Sequence, residues 1–186
     1  MQRFLIRLAH RAIAGACVVW LALAVGACER EREPPALEPG EWREFEGSWN
    51  AAGTRRTIPL GTDRKGSIID LRGTMLLVGA RRPGVGFQSE VIALVDSETG
   101  LVGRGVWTDE RGDQVFSDLK GEGTKEKNHI VGTILGGTGR YAGATGTFEF
   151  SWQFVIELED GSIQGRAVNL KGRIRRGQPA AGGATQ

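Results

Sequence analysis

Apolar and polar residues alternate with a period of two between residues 45 and 176, as in β-strands with one buried face. The run FEFSWQFVIE shows this most clearly, because Phe148, Phe150, Trp152, Phe154 and Ile156 share one parity. The run IIDLRGTMLLVG alternates in the same way. Turn-forming segments such as GTDRKGS, DSETG, DERGD and LEDGS separate the runs. The pattern therefore predicts an all-β domain.

Turns of this kind bound eight runs, at residues 47–59, 67–79, 86–96, 101–108, 114–124, 129–135, 145–157 and 163–175. Eight short antiparallel strands can close into an up-and-down β-barrel whose interior holds side chains or one small ligand. A β-sandwich is the alternative. A membrane-spanning barrel is not expected, because the faces opposite the apolar stripes carry residues such as Asp70, Arg72 and Glu149, which lipid disfavours.

The N-terminal segment has a different character. Arg3, Arg7 and Arg11 precede an uncharged run, residues 12–27, which is too short to span a bilayer comfortably and ends in small residues before Cys28. A basic start, an apolar run and a small-residue end predict a secretory signal. The sequence VGAC resembles the lipobox of bacterial lipoproteins, which implies cleavage before Cys28 and acylation of its thiol. We therefore expect the lipid bilayer to be a partner through Cys28.

Two further segments lack the composition of a folded core. Residues 28–44 are charged and proline-rich, which predicts a lipidated cysteine followed by a disordered tether. Residues 177–186 are small and polar, which predicts a disordered tail. The predicted organisation is therefore a signal peptide at 1–27, the tether at 28–44, a barrel domain at 45–176 and the tail at 177–186.

Charge adds one exclusion and one preference. Loss of residues 1–27 lowers the net charge from +2 to −1, so no basic surplus points to a nucleic-acid partner. Glu29 follows Cys28. In the lipoproteins that this motif resembles, an aspartate at that next position is associated with retention in the inner membrane. The expected location is the cell envelope, facing the periplasm, with the outer membrane preferred over the inner one.

The glycine-rich segment GGTGRYAGATG, residues 136–146, contains a formal match to a dinucleotide-binding fingerprint. That fingerprint requires a following helix, and a strand pattern follows here, so no nucleotide is expected. The segment resembles allene oxide cyclases and dirigent proteins, including bacterial members of their superfamily, and these form eight-stranded antiparallel barrels. The resemblance implies action on reactive lipid or phenolic intermediates in the lumen, without a metal or cofactor. No catalytic residue of either family aligns here, and Arg140 and Tyr141 are expected to pack at the barrel rim.

Candidate chemistry is sparse in the rest of the chain. His10 and Cys17 leave with the predicted signal peptide, and Cys28 is expected to be acylated. His129 is then the one histidine or cysteine side chain left to bind a metal, so a zinc site of the usual type is excluded. No cofactor is expected. Charged residues within apolar runs are candidates for binding or polarising a ligand if they face the lumen, and face water otherwise. Lumen-wall aromatic residues suit an apolar ligand or a packed core. The candidate ligand-binding residues are Glu90, Arg104, Trp107, Asp118 and Trp152.

Three functions follow from these features. The preferred one is a binding module that holds or carries a small apolar molecule, which a fully packed lumen would exclude. The second is an envelope interaction or structural protein with a solid barrel, which a large exposed apolar patch would favour. The third is a cofactor-free cyclase or isomerase in the style of the resembling families, which needs Glu90 or Asp118 beside a cavity. An enzyme is the less favoured expectation.

Overall fold

The computed structural model describes residues 37–122 and 129–177. These residues form β1 (Arg43–Pro59), β2 (Lys65–Val78), β3 (Gly86–Asp96), β4 (Gly100–Asp109), β5 (Gln114–Gly121), β6 (His129–Gly137), β7 (Ala144–Glu157) and β8 (Ser162–Arg176). One short 3₁₀ turn, Gly139–Tyr141, lies between β6 and β7. In the described ranges, no helix has the length and apolar character needed to cross a membrane.

The eight strands close into a barrel. Each strand pairs antiparallel with the next one along the chain, and β8 returns to pair with β1. The predicted eight-stranded up-and-down barrel is confirmed, and the sandwich alternative is wrong because one continuous sheet closes on itself. Local alternation was sufficient for this prediction, because hairpin pairing joins neighbours in sequence.

This topology gives the barrel two distinct ends. We call the end with the β2–β3, β4–β5 and β6–β7 connections the closed end; the chain also enters and leaves the barrel there. The opposite end, with the β1–β2, β3–β4, β5–β6 and β7–β8 connections, is called the open end. The names describe how fully the lumen is occupied at each end.

Inward and outward positions follow the predicted period of two. In β2, the stripe of Ile69, Leu71, Met75 and Leu77 is buried in the lumen. In β7, Phe148, Phe150 and Trp152 are buried as predicted, but Ile156 is exposed. The register with β8 shifts between Phe154 and Ile156, and this β-bulge turns the end of the stripe out of the lumen.

The barrel domain begins before the predicted boundary at residue 45. Leu37 is buried in the same core as the barrel side chains, Pro39 forms a bridge with Arg176, and β1 starts at Arg43. The guanidinium groups of Arg173 and Arg175 lie 4.8 and 4.7 Å from the centroid of the Trp42 ring. The end of the predicted tether therefore belongs to the barrel, and its proline-rich composition concealed these few anchoring side chains.

Candidate functional site: the open end of the lumen

A cavity of about 590 Å³ occupies the lumen at the open end. Its walls are mainly aliphatic and aromatic, which is typical of sites for small apolar molecules. Strands β1 to β7 contribute residues to its lining, and β8 does not. The apolar lining residues are Trp49, Ile69, Leu71, Val91, Ala93, Val95, Leu101, Leu119, Ile130, Phe150, Trp152 and Phe154.

Aromatic rings form the inner boundary, or floor, of this cavity. Trp49 lies 5.1 Å from Trp152 and 6.2 Å from Phe150, measured between ring centroids. A side chain at Gly165 would overlap the Trp152 ring, so the absence of one lets this ring lie directly against β8. Beyond the floor the free space falls to about 10 Å³ beside Trp49 and Trp107. The lumen is therefore open for part of its length and packed for the rest.

The mouth of the cavity is polar. The Thr57 and Ser67 hydroxyl oxygens are 2.7 Å apart, and the Lys65 backbone N–H donates to the Ser97 hydroxyl at 3.0 Å. Lys65, Glu122 and His129 also line the mouth. An apolar molecule in the cavity would therefore place its outer end among hydroxyl and charged groups, while its body contacts the apolar walls.

One cation at the mouth is held in place. The Arg55 guanidinium donates to Glu157 at 2.6 Å and lies 5.4 Å from the centroid of the Phe154 ring. These two contacts join β1 to β7 across the end of β8, where the sheet is irregular. Arg55 therefore supports the cavity wall, and its charge is already matched by Glu157.

The two tryptophans predicted for the lumen have different surroundings. Trp152 lines the cavity, as the aromatic stripe of β7 indicated. Trp107 is also buried in the lumen, but it packs against Phe45, Phe87 and Phe148 at centroid distances of 6.0, 5.9 and 4.8 Å. Trp107 is therefore part of the packed core. Trp152 borders the cavity, and Trp107 does not.

For Glu90, Arg104 and Asp118 the lumen interpretation is wrong. Arg104 and Asp118 form an ion pair at 2.8 Å on the outer wall, with side chains 64% and 29% exposed. Glu90 is 51% exposed and pairs with Arg72 on the outer wall. The alternating burial of β3, β4 and β5 directs smaller residues into the lumen, such as Ser89 and Ser117, and the charged neighbours therefore face water.

Two further residues matter to these interpretations. Cys28, the predicted lipidation site, lies outside the described residues. Trp49 was not predicted, although it has the same parity as the buried Ala51 and the alternation of β1 was the available signal.

Within residues 37–122 and 129–177, no group of three histidine, cysteine or acidic side chains could hold a metal ion.

A second concavity lies on the outer wall near the closed end, with a volume of about 670 Å³. It is an open groove between strands rather than an enclosed space, and its charged lining includes Glu44, Glu46, Arg81, Glu149, Lys171 and Arg173. Several of these charges are already paired, such as Lys171 with Glu149 at 3.0 Å. The lumen cavity is therefore the better candidate for a small-molecule site.

The closed end is filled by an aromatic and ionic cluster built on the glycine-rich segment. Tyr141 is fully buried, and its ring lies 6.0 Å from that of Phe87. Arg140 Nε lies 2.7 Å from Asp109 Oδ2 and 3.0 Å from the Tyr141 hydroxyl oxygen. Burial raises the pKa of the Tyr141 phenol well above its usual value. The predicted packing role of Arg140 and Tyr141 at the rim is confirmed.

The backbone completes this cluster. The Asp109 carboxylate accepts hydrogen bonds from the Arg111 and Asp113 N–H groups at 2.8 and 3.0 Å, and Asp113 accepts one from the Arg140 N–H at 3.1 Å. Gly139 adopts a left-handed φ of 48°, and a side chain there would overlap the Asp113 carboxylate. The glycine motif thus joins the β4–β5 and β6–β7 connections.

Comparison with known proteins identifies no relative of this chain. No protein-family model, no curated protein and no solved structure matches the chain.

Proposed function

We propose that this protein is a lipid-anchored periplasmic lipoprotein whose barrel binds or carries a small apolar molecule. The observation that carries the binding part is the cavity of about 590 Å³ with aliphatic and aromatic walls at the open end. Such a volume lies in the usual range of small-molecule sites, which is about 300–1,000 Å³. Sequence features alone support the anchor: the signal-like N-terminus and the lipobox-like sequence ending in Cys28.

The binding proposal is tested by native mass spectrometry of the chain purified from its own host. We expect an added mass that is lost on denaturation. Ala93→Trp, which fills the cavity, should remove that mass. Ile92→Trp is the matched control, because Ile92 is the neighbour on the same strand and its side chain is 62% exposed on the outer wall. A bare protein mass, or equal occupancy in both variants, would contradict the proposal.

The anchor has its own test, which is independent of the cavity. Labelling growing cells with a palmitate analogue should mark the wild-type chain and fail to mark Cys28→Ser. An unlabelled wild type would contradict lipidation. A label that persists in Cys28→Ser would also contradict it, because no other cysteine follows the predicted signal peptide.

One observation favours the second candidate, an envelope interaction protein. Ile68, Leu94 and Val102 occupy one cross-strand row on the outer wall, and each side chain is about half exposed. The open lumen, however, differs from the solid barrel expected for that function. The cyclase or isomerase alternative is weaker still, since Glu90 and Asp118, its acid–base candidates, lie outside the lumen.

A further inference from the structure

The floor of the cavity contains two buried hydrogen-bond donors without acceptors. Trp49 and Trp152 are only 4% and 5% exposed, and neither indole Nε1 has a hydrogen-bond partner in the described part of the chain. An indole N–H can only donate, so the deficit at each ring is an acceptor. Leaving a buried donor unpaired costs free energy, and native proteins pair most such groups.

The buried Ser117 hydroxyl, which lies deeper in the lumen, does have a hydrogen-bond partner. It donates to the Gly105 carbonyl oxygen at 3.3 Å, within the narrow space beside Trp107. The two unpaired donors are instead found at the cavity, on rings that both line it. Each nitrogen has less than 1 Å² of exposed surface, so it is the placement of the rings at the cavity, and not the direction of the N–H bonds, that points to an acceptor supplied from the cavity.

Charge at the floor narrows the chemistry of that acceptor. The basic side chains that line the cavity, Arg55 and Lys65, belong to its mouth, and Arg55 is already paired with Glu157. The floor itself is formed by aromatic and aliphatic side chains. A carboxylate placed there would lose its hydration without gaining a positive partner, whereas a neutral oxygen needs only the donors.

We propose that the ligand is a neutral apolar molecule with a carbonyl oxygen, and that this oxygen accepts hydrogen bonds from the indole N–H groups of Trp49 and Trp152. This inference rests on the proposed binding function and adds the class of ligand. Both nitrogens are shielded from solvent, so the proposed hydrogen bonds require the two rings to tilt toward the cavity that they line.

The test compares two compounds of nearly identical shape, benzophenone and 1,1-diphenylethylene, in which a carbonyl oxygen replaces a CH₂ group. Affinities of the full chain are measured by equilibrium dialysis. Trp49→Phe and Trp152→Phe remove one N–H each while keeping an aromatic ring. We expect at least one of these variants to lose roughly tenfold in affinity for the ketone, the size of one hydrogen bond in a dry site. The affinity for the alkene should stay within about twofold of the wild type.

Trp107→Phe is the control, because Trp107 is buried in the lumen outside the cavity wall. It should leave both affinities unchanged. If both tryptophan variants at the floor weaken ketone and alkene equally, the carbonyl inference is overturned while apolar binding stands. If neither compound binds the wild type, the binding proposal itself is contradicted.

A measurement on the wild type alone covers the case in which the variants fail to fold. The infrared carbonyl stretch of bound benzophenone should lie at lower frequency than in hexane, because donation to the oxygen weakens the C=O bond. A bound ketone with the hexane frequency would overturn the inference.

Discussion

The same eight strands form both ends of the barrel, but the lumen is filled at the closed end and contains a cavity at the open end. At the closed end, Phe87, Trp107 and Tyr141 fill the lumen, and the Arg140–Asp109 pair seals its rim. At the open end the rings of Trp49 and Trp152 form the floor of a cavity in which about 590 Å³ is free. The comparison shows that a period-two pattern specifies which residues face inward, whereas side-chain volume and local contacts decide whether the interior is filled.

The largest expected difference concerns ion pairs. The Asp109 side chain is fully buried and Arg140 is 13% exposed, so Arg140→Met would leave a buried carboxylate without the positive charge of Arg140 and with two backbone N–H donors. We expect a loss of about 3–5 kcal/mol in the free energy of unfolding. The control, Arg104→Met, breaks an exposed pair and should cost about 1 kcal/mol or less.

Urea unfolding followed by circular dichroism measures both variants. Equal losses would show that the closed end is not held by its buried pair. The comparison would also fail if added salt weakened the Arg140 contribution as strongly as the Arg104 contribution, because burial protects a pair from screening.

A second comparison applies one substitution to both ends. Ala144 is fully buried at the closed end, and Ala93 lines the cavity. Ala144→Leu should destabilise the protein by about 1–3 kcal/mol, because the added carbons displace packed neighbours. Ala93→Leu should leave the melting temperature nearly unchanged, because the added carbons enter free space. Differential scanning calorimetry decides between this result and a loss of similar size in both variants, which would mean that the cavity wall is as tightly packed as the closed end.

The smallest expected effect is a titration at the open end. Arg64 donates to Asp96 at 2.6 Å and, with backbone donors from Glu98 and Thr99, lowers the Asp96 pKa from 3.8 to about 2. Since the folded-state pKa is depressed, the stabilising contribution of Asp96 is present above about pH 4 and is lost as the pH falls through about 2.

Carbon-13 NMR of the Asp96 carboxyl should show this midpoint, and Arg64→Met should raise it. The control is Asp160, whose pKa is lowered by hydrogen bonds from Ser162 and not by Arg64. An Asp96 midpoint near 3.8 in the wild type would contradict the assignment.

Much of the fold was accessible from the sequence, because each strand pairs with a neighbour in sequence and carries a clear alternation. The candidate site was accessible only in part. Trp152 was placed correctly by parity, but Glu90, Arg104 and Asp118 were not, because their strands carry apolar residues on both faces. Ile92, for example, is 62% exposed on the outer wall, so hydrophobicity alone could not identify the inner face there.

The division between filled and empty lumen was also beyond sequence reasoning. It depends on contacts between residues that are distant in sequence, such as the approach of Phe148 to Gly132, where a side chain would overlap the ring. The role of the glycine-rich segment is of the same kind. Its turn chemistry was visible, but its attachment to Asp109 and Asp113 required the register of four strands.

The bridge between Pro39 and Arg176 has a consequence for how the chain can be rearranged. The Gly40 N–H donates to the Arg176 carbonyl oxygen at 3.0 Å, so the points of entry and exit are adjacent. A short peptide could join them, and new termini could be opened at the exposed turn after Leu158, which would make the barrel a suitable subject for circular permutation. A tag or surface linkage attached beside Gly40 or Arg176 would likewise leave the mouth unobstructed, because both residues lie at the closed end.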